Sequence, residues 1–226
     1  MSQGKLKLRA GDVIDLTRYV AAQLHNMFPA DGMKQDVEMM IDIMPRALER
    51  MRPILGAVRA FEPDTFNHFN SLQYATFLYL LGNEHWRVEP SSLIADRLFC
   101  LNRALNAMDL FYGIEMPEVF FVSHGVGAVL GNATYGNRLV FFQNVTVGRV
   151  GDSRPTIGEN VVLYPGATIT GRSEIGNNSV VTAGAVVHGI SVPDNVVVML
   201  SGSELVFRPL KRDYISLYLR PHANAY

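Results

Sequence analysis

"TIGENVVLYPGATITGRSEIGNNSVVTAGAVV", residues 156–187, repeats itself every six residues. Ile157, Leu163, Ile169, Ile175, Val181 and Val187 stand at that interval, and all are aliphatic. Upstream the same count passes through Tyr135, Phe141 and Val147, then resumes after four extra residues. Four positions further on come Leu139, Val145, Val161, Ala167, Ser173, Ser179 and Ala185, all small or apolar. Helices do not have this period, and a β-sandwich should alternate with period two in longer units. A six-residue period with Gly-Asn turns, as in "IGEN" and "IGNN", predicts a parallel β-helix. Each hexad supplies a short strand and a corner, and three hexads close one triangular coil. Coils then stack at about 4.8 Å with backbone pairing between them. Asn and Gly suit the corners because they tolerate left-handed backbone angles.

Residues 1–108 follow a different rule. "GDVIDLTRYVAAQLHNMF" (11–28) has apolar residues at helical spacing behind a cap at Asp12 or Gly11. "KQDVEMMIDIMPRALERMRPILGAV" (34–58) reads as helix that Pro45 and Pro53 break or kink, with a methionine stripe suited to a core or an interface. "TFNHFNSLQYATFLYLLG" (65–82) is a third helix, capped by Asp64 or Thr65 and closed at Gly82. "PSSLIADRLFCLNRALNAM" (90–108) is a fourth, capped by Ser91 or Ser92. The expected organisation is an α-helical domain over 1–108, a β-helix over 109–204 and a C-terminal tail over 205–226.

Composition narrows the function. The chain has 226 residues, 48% of them hydrophobic, with formal charge -1. That balance opposes broad nucleic-acid binding, which needs a concentrated basic surface. Arg208, Lys211 and Arg212 make only a local patch, and the last two read as solvated charges. The single cysteine, Cys100, rules out an intrachain disulfide and points to a reducing compartment. No signal-peptide core and no membrane-length apolar run are evident. A soluble, cytoplasmic protein is the expectation.

The residues that carry chemistry lie near the β-helix start. In "SHGVGAVLG" (123–131) His124 sits among small and apolar residues. Asp109, in "NAMDLFYGIE", precedes it by fifteen residues, less than one coil, so the two fall on neighbouring coils. With the loop "GDSRP" (151–155) and the hexads, these stretches resemble the serine acetyltransferases of the hexapeptide-repeat acyltransferase superfamily, over roughly residues 70–200. The resemblance implies a left-handed β-helix, a homotrimer and acetyl-CoA as donor. Handedness comes from the family alone, since parallel crossovers are normally right-handed. It also implies His124 as general base and Asp109 as the carboxylate that orients it.

Departures from the family are concentrated around the acceptor. Ser123 stands where the family has an aspartate before the histidine. Ser153 replaces an arginine, and Arg154 a second histidine. The loop is about four residues shorter, and "VVVMLSGSELVF" (196–207) lacks the usual Gly-x-Pro segment. Acetyl transfer is thus better supported than serine as the acceptor.

The implied chemistry is general-base catalysis. A neutral imidazole can take a hydroxyl proton as attack begins, and a carboxylate on its other nitrogen fixes the tautomer. A backbone N–H near Gly148 is expected to stabilise the oxyanion, with Arg154 as the other candidate or as an acceptor ligand beside Ser123. Pro165 and Ala183 match positions that line the family's pantetheine groove, and Gly148 and Gly184 would let the donor approach the backbone; for Lys211 or Arg212 contact with the CoA phosphates is the alternative to the solvated-charge reading. Cys100 reads as a buried structural residue. His188 is expected to point outward. His25, His68, His85 and His222 form no zinc pattern with Cys100, so no metal is expected. The alternatives left open are N-acetylation of an amino sugar, a non-catalytic β-helix assembly module, and pairing of two trimers through the helical domain.

Overall fold

The computed structural model describes residues 6–30 and 32–221; His222 lies outside them. It divides into two compact units. One comprises residues up to Gly56, Phe61–Ala107 and Phe111–Gly113; the other comprises Ala57–Ala60, Met108–Leu110 and the chain from Ile114 onward.

The first unit is helical: α1 (Val13–Met27), α2 (Met33–Ile41), α3 (Met44–Ala57), α4 (Ser71–Val88) and α5 (Leu93–Asn106). Asp12 caps α1 through a reciprocal box with Asp15, and Ser92 caps α5 through Ala95 N. The sequence expectations hold only in part here. The segment 34–58 breaks at Asp42–Ile43, just ahead of Pro45, which has no N–H to bond the carbonyl of Ile41, the last residue of α2, but it does not break at Pro53. Pro45 falls in the first turn of α3, where a missing N–H costs nothing, and α3 runs through Pro53, held by buried Met51, Ile54 and Leu55. The third predicted helix starts at Ser71, because Asn70 accepts from the amides of Leu72 and Gln73 and so wins the cap from Asp64 and Thr65. It continues past Gly82. A Cβ there would stand 3.4 Å from that of Tyr112 and 3.7 Å from that of Leu98, so the glycine serves close approach rather than termination. Met40, Met44 and Met51 are buried, while Met33 and Met39 are exposed. Among the described residues, no helix is long and apolar enough to cross a membrane.

The second unit is a parallel β-helix with three walls. The first wall stacks Asp109–Leu110, Val129–Leu130, Thr146–Gly148, Thr168–Thr170 and Val186–His188. The second stacks Thr134–Tyr135, Thr156–Ile157, Glu174–Ile175 and Ser191–Val192. The third stacks Phe120–Val122, Leu139–Phe141, Val162–Leu163, Val180–Val181 and Val196–Ser201. Every predicted hexad residue from Tyr135 to Val187 is buried, as are the seven small or apolar residues four positions on. The six-residue count thus selects the interior column of each wall.

On the third wall, side chains alternate, so Val140, Val162 and Val180 point outward, yet each is at most 2% exposed. The cover comes from the end of the chain. Val196–Ser201 pairs antiparallel with Glu204–Pro209, and the chain then runs back along the wall. Leu210, Tyr214 and Ile215 line a small recess with Val180, Tyr218 hydroxyl meets Tyr164 hydroxyl at 2.9 Å, and Arg220 N donates to Ala57 O.

Candidate active site

His124 stands at the corner joining the third wall to the first, in the lowest coil. Strand registers show that this corner is two residues longer than its counterparts above, which are built from Phe142–Asn144, Tyr164–Gly166 and Thr182–Gly184. The extra length pushes the loop off the regular helix and leaves His124 exposed. Its φ of 53° is left-handed, a conformation costing a side-chain-bearing residue about 1–2 kcal/mol. Such strain persists only where neighbours impose it. Here they do. Val126 N donates to His124 O at 2.7 Å, and Ser123 N to Phe141 O at 2.8 Å. Gly125 has no room for a Cβ, which would lie 2.4 Å from Val122 Cγ1. The flanking glycines are therefore required by the loop's own folding, and the imidazole is presented outward.

Asp109 begins the first wall. It is half-buried, and its N–H donates to Ala128 O at 2.9 Å, four residues after His124. Its register partner one coil up is Val129. The aspartate therefore sits under the strand into which the His124 loop leads. Ser123 shares the loop but is 6% exposed.

Above the loop, Gln143, Pro165 and Ala183 follow one another on successive coils, linked by Gly166 N to Gln143 O and Gly184 N to Pro165 O, both at 3.0 Å. Ala183 and Gly184 are exposed, and a Cβ on Gly184 would meet no atom within 4 Å. At its upper end this column therefore carries no side chain larger than a methyl group. Gln143, in the same column, was not named from the sequence, where only Pro165 and Ala183 carried the family likeness. Its buried Oε1 has no hydrogen-bond partner.

Gly148 and Arg154 lie elsewhere in the chain. Gly148 closes the first-wall strand at its far edge, pairing with Thr170. Arg154 follows a tight turn in which Val150 and Ser153 exchange backbone hydrogen bonds, and its Nη1 reaches Asn132 Oδ1 at 3.5 Å. Asn132, an exposed loop residue, carries no sequence signal. The width of the first wall separates these two residues from His124.

The remaining candidates are dispersed. His188 is exposed, with Nδ1 3.0 Å from Thr170 Oγ1. His68 and His85 are buried in the helical unit, and burial pushes both pKa values down, that of His85 to about 4. Cys100 is exposed on α5, contrary to the expected burial, because the apolar face of that helix is carried by Ile94, Leu98 and Leu101. Among the described residues, no three His, Cys, Asp or Glu side chains converge as metal ligands.

Residues 154–189 match the family model described as bacterial transferase hexapeptide (six repeats). A serine acetyltransferase of Synechococcus elongatus is 31% identical over 93 residues, 38% of each chain. One from Staphylococcus aureus strain Mu50 is 32% identical over 103 residues, 43% of this chain and 48% of that protein. The chain thus matches less than half the length of these curated relatives. Among solved structures, serine acetyltransferase from Brucella abortus strain S19 superposes with a TM-score of 0.66 at 21% identity, covering 87% of this chain and 84% of that one. The Neisseria gonorrhoeae enzyme gives 0.65 at 20% identity, covering 92% and 84%. Residues 154–189 are thus similar to the repeats of that family, and the fold is the one these solved structures adopt.

Proposed function

We propose that this chain is an acetyl-CoA-dependent O-acetyltransferase, with a small hydroxylated acceptor that is serine-like or a sugar. The observation that carries the reading is the outward presentation of His124 on an enlarged, strained corner, with Asp109 beneath the adjoining strand. An assembly module made only of hexads has no need of either feature.

His124 takes the acceptor hydroxyl proton as the oxygen attacks the thioester carbonyl carbon. A C–O bond forms, the C–S bond breaks, and the imidazolium returns the proton to the departing thiolate. Asp109 holds the imidazole in the tautomer that leaves one nitrogen free to accept. The developing oxyanion takes a hydrogen bond from the backbone near Gly148 or from Arg154. Pro165, Ala183 and Gly184 line the donor's path, and Arg154 faces the acceptor, while Ser123, at 6% exposure, has little surface to offer it.

Gly148 and Arg154 are a wall's width from His124 in one chain, so the reading requires a second copy to bring those edges together. A homotrimer does this, each subunit lending its far edge to the next. A cytoplasmic location, consistent with the lone exposed Cys100, belongs to the same reading.

The test is a screen of hydroxylated acceptors with acetyl-CoA, read by release of free thiol. The substitutions at Ser123, Ser153 and Arg154 predict that L-serine is not the best acceptor. Thiol release no faster than hydrolysis with every alcohol and sugar would remove the proposal in favour of an assembly role. Turnover of amino sugars alone would favour N-acetylation.

A further inference from the structure

At the corner joining the second wall to the third, one backbone conformation recurs four times. Arg138, Asn160, Asn178 and Asn195 occupy successive coils with φ of 63°, 56°, 54° and 60°. Their side chains form a one-way chain. Arg138 Nε donates to Asn160 Oδ1 at 3.0 Å, Asn160 Nδ2 to Asn178 Oδ1 at 3.1 Å, and Asn178 Nδ2 to Asn195 Oδ1 at 3.2 Å. Chemistry fixes the direction. A guanidinium can only donate, so Asn160 must turn its oxygen toward Arg138, and each later amide must follow. The chain therefore occupies carbonyls and leaves N–H groups over: one each on Asn160 and Asn178, and two on Asn195.

The returning C-terminal segment runs beside this row, and a cleft of about 690 Å³ opens between them. That volume is within the usual range for small-molecule sites. Lys211 and Arg212 stand on its rim, and Arg138 lies at its base. Arg138 Nη2 donates to Arg220 O at 2.8 Å, and none of the three cations forms an ion pair with a described residue. Two carboxylates also line the cleft. Asp213 Oδ1 accepts from Ser216 N at 3.2 Å, and Glu159 is exposed. Positive charge thus exceeds negative, over a floor of unused donors.

We propose that this cleft binds a small oxyanion, a phosphate group or a polycarboxylate, at a site distinct from the His124 corner. The two sites lie at opposite edges of the third wall, and this one does not depend on the acetyl-transfer reading. The ladder amides and Arg138 supply directional donors, and Lys211 and Arg212 supply charge from the rim.

The experiment is calorimetric titration of the full chain with inorganic phosphate and, separately, with citrate. Saturable binding of one or both at millimolar concentration or tighter is expected, and the tighter arm identifies the class. The paired rim variant Lys211→Gln and Arg212→Gln, which leaves the ladder intact, should weaken it about tenfold or more, the scale of losing a charge-assisted hydrogen bond. Arg138→Gln should abolish it in a protein whose thermal unfolding remains cooperative. Ala183→Glu, at the other edge of the wall, should leave the affinity unchanged. No saturable binding in either arm would overturn the proposal. So would wild-type affinity in the rim variant, or loss of binding in Ala183→Glu.

Discussion

Gly127 and Asn144 hold equivalent corners of consecutive coils, both left-handed with φ of 73° and 58°, and a Cβ on Gly127 would stand 2.2 Å from Asn144 Oδ1. The longer His124 loop can rejoin the first wall only because this position carries no side chain.

Gly127→Ala should therefore destabilise the β-helix by about 1–2 kcal/mol from the backbone alone, plus the clash with Asn144. Adding Asn144→Ala should recover part of the loss by removing the clash, while still forfeiting the corner's preference for asparagine. Denaturant unfolding of the two single variants and the double variant measures this coupling. Strictly additive losses would mean that the close approach does not govern the loop.

The helical unit makes a sharper stability prediction. Arg97 Nη1 and Nη2 donate to the two carboxylate oxygens of Asp36 at 2.5 and 2.8 Å, and both side chains are buried. Asp36→Ala strands a buried guanidinium and should cost about 3–5 kcal/mol. Lys34–Glu38, an exposed pair on the same helix, is the control, and Lys34→Ala should change stability by no more than about 1 kcal/mol. Urea midpoints report both.

His85 gives a pH dependence of defined sign. Burial holds its folded pKa at about 4, below the ordinary 6.5, although neighbouring Glu84 pulls the other way. The unfolded chain therefore binds more protons between those values. Its contribution is full above pH 6.5 and is lost as pH falls toward 4, a total of about 3 kcal/mol. His85→Gln should flatten stability between pH 7 and pH 5 relative to wild type. Parallel profiles would show that His85 does not titrate in this way.

The interior of the β-helix was legible from residue types because its geometry demands an aliphatic side chain every sixth residue, as at Ile157 and Leu163. The covering of the third wall was not. Val140, Val162 and Val180 look like surplus apolar residues until Tyr214, Ile215 and Tyr218, far along the chain, are folded onto their wall. The start of α4 was misplaced for a similar reason: Asp64, Thr65 and Asn70 are all good caps, and only the backbone geometry selects among them. His124 and Asp109 could be named from their spacing and their family likeness. The two-residue enlargement of the corner could not, because the hexad count began only at Tyr135. Cys100 shows the opposite limit, since burial of a free cysteine is a tendency that one helix rotation reverses.

The most direct measurement is the acetyl-transfer rate of His124→Ala with its best acceptor, taken together with oligomeric state and acetyl-CoA affinity. On the proposed reading the imidazole acts only on the acceptor proton and the donor is held elsewhere, so the variant should lose roughly 10²-fold or more in turnover while its assembly state and donor affinity persist. Asp109→Asn should lose a comparable or smaller factor by disturbing the tautomer. A folded His124→Ala protein of unchanged assembly state that binds acetyl-CoA and still turns over at near wild-type rate would contradict the account.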